Sequence, residues 1–210
     1  MSKKIFIFGA SGHGKVVAEI AEACGYNNVS FFDDRWPGFT RIGRWDVVGD
    51  TATLLTHGKD NSPFIIAVGN NSVREQKAGL FCDAGLLHTL LIHPFSSISS
   101  SSIIGNGSVV MAGACINADV QIGDGVIINT GATVDHDCNI GHYCHLSPGV
   151  NLAGNVAIGS KSWIGIGSQI IQGITIGQDA VVGAGATVIN DVSDRITVVG
   201  TPAKKRIKNL

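Results

Sequence analysis

An aliphatic residue recurs at every sixth position through the second half of the chain. Counting in sixes from Ile98, every position through Val188 is Ile, Val or Leu. A short fixed period of this kind is the signature of a solenoid. A second period of eighteen residues lies on the first, because an Ile-Gly pair begins at each of Ile104, Ile122, Ile140, Ile158 and Ile176. Three hexads per repeat predict a three-sided coil about five coils high.

The residues that precede these aliphatics agree with a triangular prism. Two positions before an aliphatic lies a small or β-branched residue, as at Ser108, Ala114, Ala132, Cys138, Cys144, Ser168 and Ala186. Aliphatic side chains would fill the axis of the prism, and small ones would fit its tight corners. Because the chain has five cysteines and no Cys-x-x-Cys, we expect reduced thiols that pack as small hydrophobes.

The first half of the chain alternates strand and helix signals. Strands are predicted at 4–8, 29–32, 64–68 and 86–92, with helices over 16–23 and 73–84. Gly9-Ala10-Ser11-Gly12-His13-Gly14 forms the turn between the first strand and the first helix. We therefore predict an α/β, Rossmann-like domain over residues 1–92 and a parallel β-helix with a C-terminal tail over 93–210.

Charge and hydropathy exclude two classes of partner. The formal net charge is −1, and the longest Lys/Arg run is Lys204-Lys205-Arg206, so a nucleic-acid-binding face is not expected. No apolar run approaches the roughly 18 to 20 residues of a membrane span, and the N-terminus does not resemble a signal peptide. We expect a cytoplasmic protein.

The stretch from Ala132 to His145 contains three histidines and two cysteines, so a metal site must be weighed. In the hexad register, His136 and His142 point outward on successive faces, on the order of 20 Å apart along the strand path. Cys138 and Cys144 take inward corner positions. No metal site is expected within one chain. Zinc held between subunits, as in the γ-class carbonic anhydrases, stays an alternative, although the histidine intervals here are six and three instead of five.

A catalytic base is the other interpretation of this stretch. Asp135 and Asp137 flank His136, and a carboxylate that binds one imidazole nitrogen makes the other nitrogen a better base. An exposed His beside Asp can equally be part of a solvated rim. The residues alone leave both interpretations open.

Longer motifs extend over nearly the whole chain. One runs from Asn129-Thr130 through Val134-Asp135-His136-Asp137-Cys138 to Ala153-Gly154-Asn155-Val156, and others are the Gly9–Gly14 turn, Asp33-Asp34 and Gly69-Asn70-Asn71-x-x-Arg74. Together they resemble the hexapeptide-repeat N-acetyltransferases of UDP-4-amino-4,6-dideoxy sugars, the bacillosamine type. Sialic acid and perosamine acetyltransferases are relatives. One difference is that the family commonly has Glu where this chain has Asp135 and Asp137.

The resemblance implies a left-handed β-helix, a homotrimer with sites between subunits, and acetyl-CoA as co-substrate without a metal. It implies that His136 is the general base, with Asp137 as the preferred orienting partner and Asp135 as the alternative. The backbone N–H of Gly154 would stabilise the oxyanion. Acetyl-CoA would contact His145, Gly154, Ile166, Ala184, Lys204 and Lys205. The sugar nucleotide would contact Gly9, Ser11, Gly12, His13, Gly14, Asp33, Asp34, Gly69, Asn70, Asn71, Arg74 and, from a neighbouring subunit, Asn129.

The implied reaction is acetylation of the 4-amino group of a UDP-4-amino-4,6-dideoxy-N-acetylhexosamine in bacterial glycan precursor synthesis. Alternatives in the same class are a sialic acid O-acetyltransferase and a GDP-perosamine N-acetyltransferase. Alternatives in other classes are a γ-type zinc carbonic anhydrase and a solenoid that binds or scaffolds without chemistry.

Overall fold

A computed structural model describes residues 3–57 and 62–206. The chain divides into two compact units, Met1–Pro94 and Phe95–Leu210. The sequence prediction places the change two residues earlier, after residue 92. Among the helices of the described residues, none is both long and apolar enough to cross a bilayer.

The N-terminal unit is a six-stranded sheet with helices, in strand order β3-β4-β2-β1-β5-β6. All of its pairings are parallel except the β3–β4 hairpin. The elements are β1 Lys4–Phe8, α1 Gly12–Ala23, β2 Asn28–Phe32, β3 Arg41–Ile42, β4 Trp45–Gly49, α2 Thr51–Thr56, β5 Pro63–Ile66, α3 Asn71–Asp83 and β6 Leu87–His88. A further short strand, β7 Leu91–Ile92, is not part of this sheet.

The sequence prediction differs from this unit in three main places. The helix predicted over 16–23 begins four residues earlier, at Gly12, inside the predicted turn. The single strand expected over 86–92 is two short ones, because the pairing with β5 ends where the Thr89 N–H donates to the Phe64 carbonyl (3.0 Å). The segment of β3, β4 and α2 was missed. Its hairpin turns at Gly43, which has a φ of 58°, and α2 is capped by Asp50, whose side chain accepts from the Thr53 N–H (2.8 Å).

Aromatic side chains fill the core of the N-terminal unit. Phe8 packs edge-on against Phe81 with ring centroids 5.0 Å apart, and Phe6 does the same against Phe32 at 5.2 Å. Edge-to-face pairs of this kind stabilise by roughly 0.5–1.5 kcal/mol beyond the area they bury. The core therefore fixes β1 and β2, whose carboxyl ends carry the Gly9–Gly14 turn and Asp33.

The C-terminal unit is a parallel β-helix of two-residue strands separated by turns, ending in a three-residue strand and an antiparallel addition. The strands are β8 Ser97–Ile98, β9 Ile103–Ile104, β10 Val109–Val110, β11 Cys115–Ile116, β12 Gln121–Ile122, β13 Ile127–Ile128, β14 Thr133–Val134, β15 Asn139–Ile140, β16 His145–Leu146, β17 Asn151–Leu152, β18 Ala157–Ile158, β19 Trp163–Ile164, β20 Gln169–Ile170, β21 Thr175–Ile176, β22 Val181–Val182, β23 Thr187–Val188, β24 Thr197–Val199 and β25 Lys204–Lys205.

These strands stack into three faces. Face A contains β10, β13, β16, β19, β22 and β24; face B contains β8, β11, β14, β17, β20 and β23; face C contains β9, β12, β15, β18 and β21. The chain passes from A to B to C in each coil. The turns from A to B, from B to C and from C to A are called the AB, BC and CA corners. From β8 to β20, each strand pairs with the strand eighteen residues later, as Thr133 does with Asn151. In the last coil the spacing falls to sixteen residues, where Val181 pairs with Thr197.

The interior of the prism confirms the hexad prediction. From Val110 to Val188 every sixth residue is buried, whereas Ile98 and Ile104, in the first coil, are half-buried. Cys138 and Cys144 are 1% and 0% exposed, and each thiol donates to a carbonyl of the next coil. Burial raises the pKa of the Cys138 thiol. These thiols are packing groups.

From Gly107 to Gly185, one residue in every six has a left-handed backbone. Glycine supplies most of these positions, for example Gly131 (φ 65°) and Gly149 (φ 67°), which explains much of the glycine in this half. Non-glycine residues take the position at Asp119, Asp137, Tyr143, Asn155, Lys161 and Asp179. Asp and Asn tolerate this conformation better than most residues. Asp137 therefore has its place beside His136 set by the coil itself.

Candidate active site

His136 lies on the BC corner, between β14 and β15. Its Nδ1 is 2.8 Å from Oδ2 of Asp137, and its side chain is 59% exposed. The left-handed backbone of Asp137 (φ 60°) brings the carboxylate to the preceding imidazole. This contact leaves Nε2 as the ring nitrogen that is not bound by the carboxylate.

Asp135 makes a different set of contacts. Its Oδ1 accepts from the backbone N–H of His136 (2.8 Å) and from Nδ2 of Asn117 (2.8 Å). Of the two flanking carboxylates, Asp137 therefore contacts the imidazole and Asp135 anchors the backbone of His136. The Asn117 contact was not predicted, although Asn117 precedes Asp135 by one coil.

These contacts shift the pKa values of both groups. The hydrogen bond that His136 donates to Asp137 raises the pKa of His136, and the charge of Asp135 raises it further. The hydrogen bond from Asn117 and that from the backbone N–H of His136 lower the pKa of Asp135. The imidazole of His136 is therefore more basic than that of an ordinary histidine.

The imidazole of His136 lies against Gly154, one coil further on. A Cβ at Gly154 would be 2.5 Å from Cε1 and 2.6 Å from Nε2 of His136, so any side chain there would displace the imidazole. Among the described residues, the N–H of Gly154 donates to no backbone carbonyl, while its neighbours Ala153 and Asn155 both do. The structure thus brings His136 and Gly154 together, as the sequence resemblance implied.

A polar groove borders His136 on face B and the BC corner. Its volume is about 420 Å³. The lining residues are Ser97, Ile98, Ser99, Ile116, Asn117, Ala118, Asp135 and His136. Hydroxyl, amide and carboxylate groups line the groove, and such groups can bind a polyhydroxylated substrate.

A second groove, which we call the apolar groove, runs along face A and the AB corner. Its volume is about 450 Å³. The lining residues are Asn129, His145, Ser147, Pro148, Trp163, Gly165, Ile166, Val181, Val182, Gly183 and Ala184. It contains three residues that the resemblance assigned to acetyl-CoA, His145, Ile166 and Ala184. It also contains Asn129, which the resemblance assigned to the sugar.

Sequence reasoning missed Trp163 in the apolar groove. Trp163 lies eighteen residues after His145, at the same place in the next coil, and its ring stacks on the imidazole (centroids 5.5 Å apart, 7° between planes). Its Nε1 donates to Oγ of Ser147 (2.8 Å). The eighteen-residue period could have placed Trp163 beside His145.

The two grooves lie on different corners of the prism. His136 is on the BC corner, whereas the apolar groove follows face A and the AB corner, with face B between them. A side chain that points outward from one corner of a prism cannot serve a groove centred on another. The base and the apolar groove of one chain therefore do not form a single site.

The C-terminal lysines are exposed on β25, which pairs with β24 so that Lys204 lies opposite Val199. Neither Lys204 nor Lys205 lines the apolar groove. Lys205 lines a separate cavity of about 290 Å³ near the last coil.

In the N-terminal unit, the segment from Gly9 to Gly14 contains the turn after β1 and the first residues of α1. Gly9 has a φ of 106°, and a Cβ there would be 2.8 Å from the Ala67 carbonyl oxygen. A Cβ at Gly14 would collide with the carbonyl of Gly9. Ser11 and Gly12 are exposed, His13 is half-buried, and Ser11 gives α1 no side-chain cap. This arrangement is open to an anion at the start of α1.

The two aspartates after β2 are held by cations that the sequence analysis did not single out. Asp33 accepts from Nε of Arg35 (2.7 Å) and from the N–H of Ala10 (2.8 Å). Partial burial would raise the pKa of Asp33, but the hydrogen bonds from Arg35 and Ala10 outweigh it and lower the pKa. Asp33 therefore ties the β1–α1 turn to the end of β2.

Asp34 has a corresponding partner in Lys77, whose Nζ is 2.7 Å from Oδ2. Thr51 donates to Oδ1 of Asp34 through its N–H (3.0 Å) and its hydroxyl (2.5 Å). Burial acts to raise the pKa of Asp34, and the bonds from Lys77 and Thr51 lower it by more. Arg35 and Lys77 place two cations near the turn that the sequence predicts for a diphosphate.

The buried side chain of Arg74 holds the Gly69-Asn70-Asn71 turn in place. Arg74 is 1% exposed, and its guanidinium donates to the Val68 carbonyl (2.8 Å) and to Oδ1 of Asn71 (2.9 Å). Asn70 caps α3 by accepting from the Val73 N–H (3.0 Å). The described contacts of Arg74 are those of a group that shapes the turn, while Gly69 and Asn70 lie at its surface.

His142 lies on a different corner from His136 and does not contribute to the same site. Its Nδ1 accepts from the Asp124 N–H (2.9 Å) on the CA corner. Over residues 3–57 and 62–206, no three His, Cys, Asp or Glu side chains come close enough together to hold a metal ion.

Comparison with known proteins agrees with this arrangement. Residues 4–79 match the family described as the PglD N-terminal domain. The acetyltransferase domain of PglB from Neisseria gonorrhoeae, solved with acetyl coenzyme A, is 43% identical, with a TM-score of 0.93 over 98% of this chain and 100% of that one. The chain belongs to the hexapeptide-repeat sugar acetyltransferases.

Two further relatives come from this family. PerB from Caulobacter crescentus, solved with CoA and GDP-perosamine, is 40% identical with a TM-score of 0.92, over 97% of each chain. A UDP-N-acetylbacillosamine N-acetyltransferase of Bacillus subtilis is 42% identical over 115 residues, which is 52% of each chain. The match to this curated relative thus spans about half its length. The family fold is a Rossmann-like domain followed in sequence by a left-handed parallel β-helix, as in this chain.

Proposed function

We propose that the protein transfers the acetyl group of acetyl-CoA to the 4-amino group of a UDP-4-amino-4,6-dideoxy-N-acetylhexosamine, a bacterial glycan precursor, in the cytoplasm. The observation that carries the proposal is the His136 imidazole, bound at Nδ1 by Asp137 and lying against Gly154. The similarity to a UDP-N-acetylbacillosamine N-acetyltransferase supports the choice of acceptor.

The chemistry follows from this geometry. The neutral amine attacks the thioester carbonyl carbon, and Nε2 of His136 takes the proton that the amine loses. The charge that develops on the carbonyl oxygen is stabilised by the N–H of Gly154. The C–S bond then breaks, the thiolate leaves, and the imidazolium returns its proton to the sulfur. No covalent bond to the protein is formed.

The apolar groove suits the donor. Its walls are mostly aliphatic or glycine, and Ile166 and Ala184 are exposed along it. An extended pantetheine arm can lie along such a wall and bury its methylene groups. The thioester end would contact His145. Lys204 and Lys205 would supply charge for the phosphates of CoA.

The N-terminal unit would hold the nucleotide. The open start of α1 suits the diphosphate, with Ser11, Gly12 and His13 nearest to it. Arg35 and Lys77 join the residues implied by the resemblance, because each places a cation beside Asp33 or Asp34. Gly69, Asn70 and Asn71 would form the opposite wall of this site.

A homotrimer completes the site. Because the base and the apolar groove lie on different corners of one chain, His136 of one subunit would serve the apolar groove of its neighbour. We therefore propose that the protein acts as a trimer with its acetyl-transfer sites between subunits.

A GDP-linked amino sugar is the second candidate acceptor, because PerB was solved with GDP-perosamine. A sialic acid acceptor would require O-acetylation in the same polar groove. A thiol-release assay with acetyl-CoA and a panel of UDP- and GDP-linked 4-amino sugars, with sialic acid, separates these alternatives. Turnover with the UDP-amino sugar alone supports the proposal, and no turnover with any acceptor contradicts it.

The zinc and scaffold alternatives predict different metal contents and different thiol release for the same purified protein. A zinc hydratase would contain stoichiometric metal and lose activity on chelation. A scaffold would bind a partner without releasing thiol. We expect acetyl transfer that a chelator leaves unchanged.

The pH dependence of the rate should follow His136. The base must be neutral, so the rate falls as the pH drops through its pKa, which the Asp137 hydrogen bond raises above that of an ordinary histidine. Asp137→Asn removes the charge but keeps a residue that tolerates the left-handed backbone. We expect the acid limb of kcat/KM to move to lower pH and the limiting rate to fall about tenfold.

Comparing the pH profiles of the wild type and Asp137→Asn isolates the contribution of His136, because the acceptor amine titrates identically in both assays. Asp124→Asn is the matched control, since Asp124 lies beside His142 on the CA corner. Its profile should coincide with that of the wild type. Coincident profiles for Asp137→Asn and the wild type would show that Asp137 does not orient the base.

A further inference from the structure

The amide of Asn129 is fixed in one orientation by the backbone. Its Oδ1 accepts from the N–H of Thr130 (2.8 Å), and its Nδ2 lies 3.1 Å from Nε2 of His145. Rotating the amide by half a turn would place Nδ2 against the Thr130 N–H, which is also a donor. The group that faces His145 is therefore the NH₂ of the amide.

This orientation determines where the proton of His145 resides. An amide NH₂ can only donate, so Nε2 of His145 must be the acceptor and carries no proton. An imidazole with an unprotonated Nε2 is neutral and has its proton on Nδ1.

The surroundings of the ring favour its neutral form. Trp163 stacks on the imidazole, and its own indole is fixed by the bond to Ser147. Of the described residues that line the apolar groove, none has a charged side chain to pair with an imidazolium. A neutral ring is the form that such a wall stabilises.

We propose that Asn129 is a positioning residue that holds His145 as the neutral, Nδ1-protonated tautomer. Nε2 is the only basic nitrogen of this tautomer, and Asn129 already occupies it. His145 is thereby excluded from general-base catalysis, which leaves His136 as the single base. The exclusion of His145 from general-base catalysis rests on the proposed function, whereas the tautomer of His145 does not.

The tautomer can be measured by NMR on the full-length protein labelled with ¹⁵N-histidine. The chain has seven histidines, and His145→Gln identifies the resonances of His145 by their loss. We expect a pyridine-like Nε2 and a pyrrole-like Nδ1 at neutral pH. A protonated Nε2 in the wild type would overturn the proposal.

Asn129→Asp tests the role of the amide with almost no change in shape. One oxygen of the new carboxylate can still accept from the Thr130 N–H, and the other now faces Nε2 as an acceptor. We expect Nε2 of His145 to become protonated. Asn139→Asp, at an exposed position on face C, is the matched control and should leave the His145 signals unchanged. An unprotonated Nε2 in Asn129→Asp would contradict the proposal.

Acetyl transfer by the same variants tests separately whether the tautomer of His145 matters for the reaction. A carboxylate in the apolar groove opposes the negative charge that develops at the thioester oxygen, so kcat/KM for acetyl-CoA should fall at least about tenfold in Asn129→Asp. Unchanged transfer together with a protonated Nε2 would show that the tautomer is held but has no bearing on the reaction. Absence of transfer in the wild type would refute the proposed function and leave the NMR result standing.

Discussion

His136→Ala should abolish acetyl transfer while the protein remains folded and still binds the sugar nucleotide. Removing a general base costs roughly 10² to 10⁴ in rate. The side chain is 59% exposed and lies outside the hydrophobic axis, so its loss leaves no cavity in the core. The measurement is thiol release with saturating acetyl-CoA, together with calorimetric binding of the nucleotide.

His142→Ala is the matched control for this result. His142 is an exposed, outward histidine on the next corner, six residues further on. Its removal should leave the transfer rate within about twofold of the wild type, because surface substitutions away from a site have little effect. If His142→Ala lost as much activity as His136→Ala, or if His136→Ala kept full activity, the assignment of the base would be wrong.

Gly154→Ala should reduce transfer by about 10²-fold, since a misplacement of about 1 Å at a reacting group has an effect of this size. The added methyl would be 2.5 Å from Cε1 and 2.6 Å from Nε2 of His136, so the ring must move. Gly154 is not among the positive-φ residues, and the substitution therefore adds no backbone strain. The loss would come from the collision with His136.

A double mutant separates this collision from other effects of the methyl group. In a His136→Ala background the ring is absent, so Gly154→Ala should cause little further loss. Gly79→Ala in α3, where a Cβ meets nothing within 4 Å, is the control and should leave the rate unchanged. Additive losses in the double mutant would mean that Gly154 acts independently of His136.

The β-helix could be predicted because its rules are local. Each hexad contains one inward aliphatic residue and one small corner residue, and every coil repeats this pattern. Counting in sixes therefore placed every sixth residue from Val110 to Val188 on the axis of the prism. The same period also places Asn117 beside Asp135 and Trp163 beside His145, since each pair is eighteen residues apart. These contacts were available from the sequence and were missed.

Contacts outside the repeat could not be predicted in this way, because no sequence period relates their residues. Arg35 and Lys77 reach Asp33 and Asp34 from a loop and from α3, and only the folded sheet brings them together. β3 has only two residues, too few for an alternation signal, and in β4 the exposed Val48 hides the alternation of buried and exposed positions. The bond from Asn129 to His145 spans sixteen residues and depends on the orientation of an amide, which a sequence does not specify.

The central claim is that the base of one subunit serves the apolar groove of another, and mixed oligomers test it most directly. His136→Ala removes the base, and Ala184→Trp fills the groove at an exposed position. Each variant alone should be inactive. Differently tagged copies of the two variants, co-expressed and purified through both tags, should recover a substantial part of the wild-type thiol release, because some interfaces then combine an intact base with an intact groove. Mixed oligomers that form but stay inactive would contradict the claim.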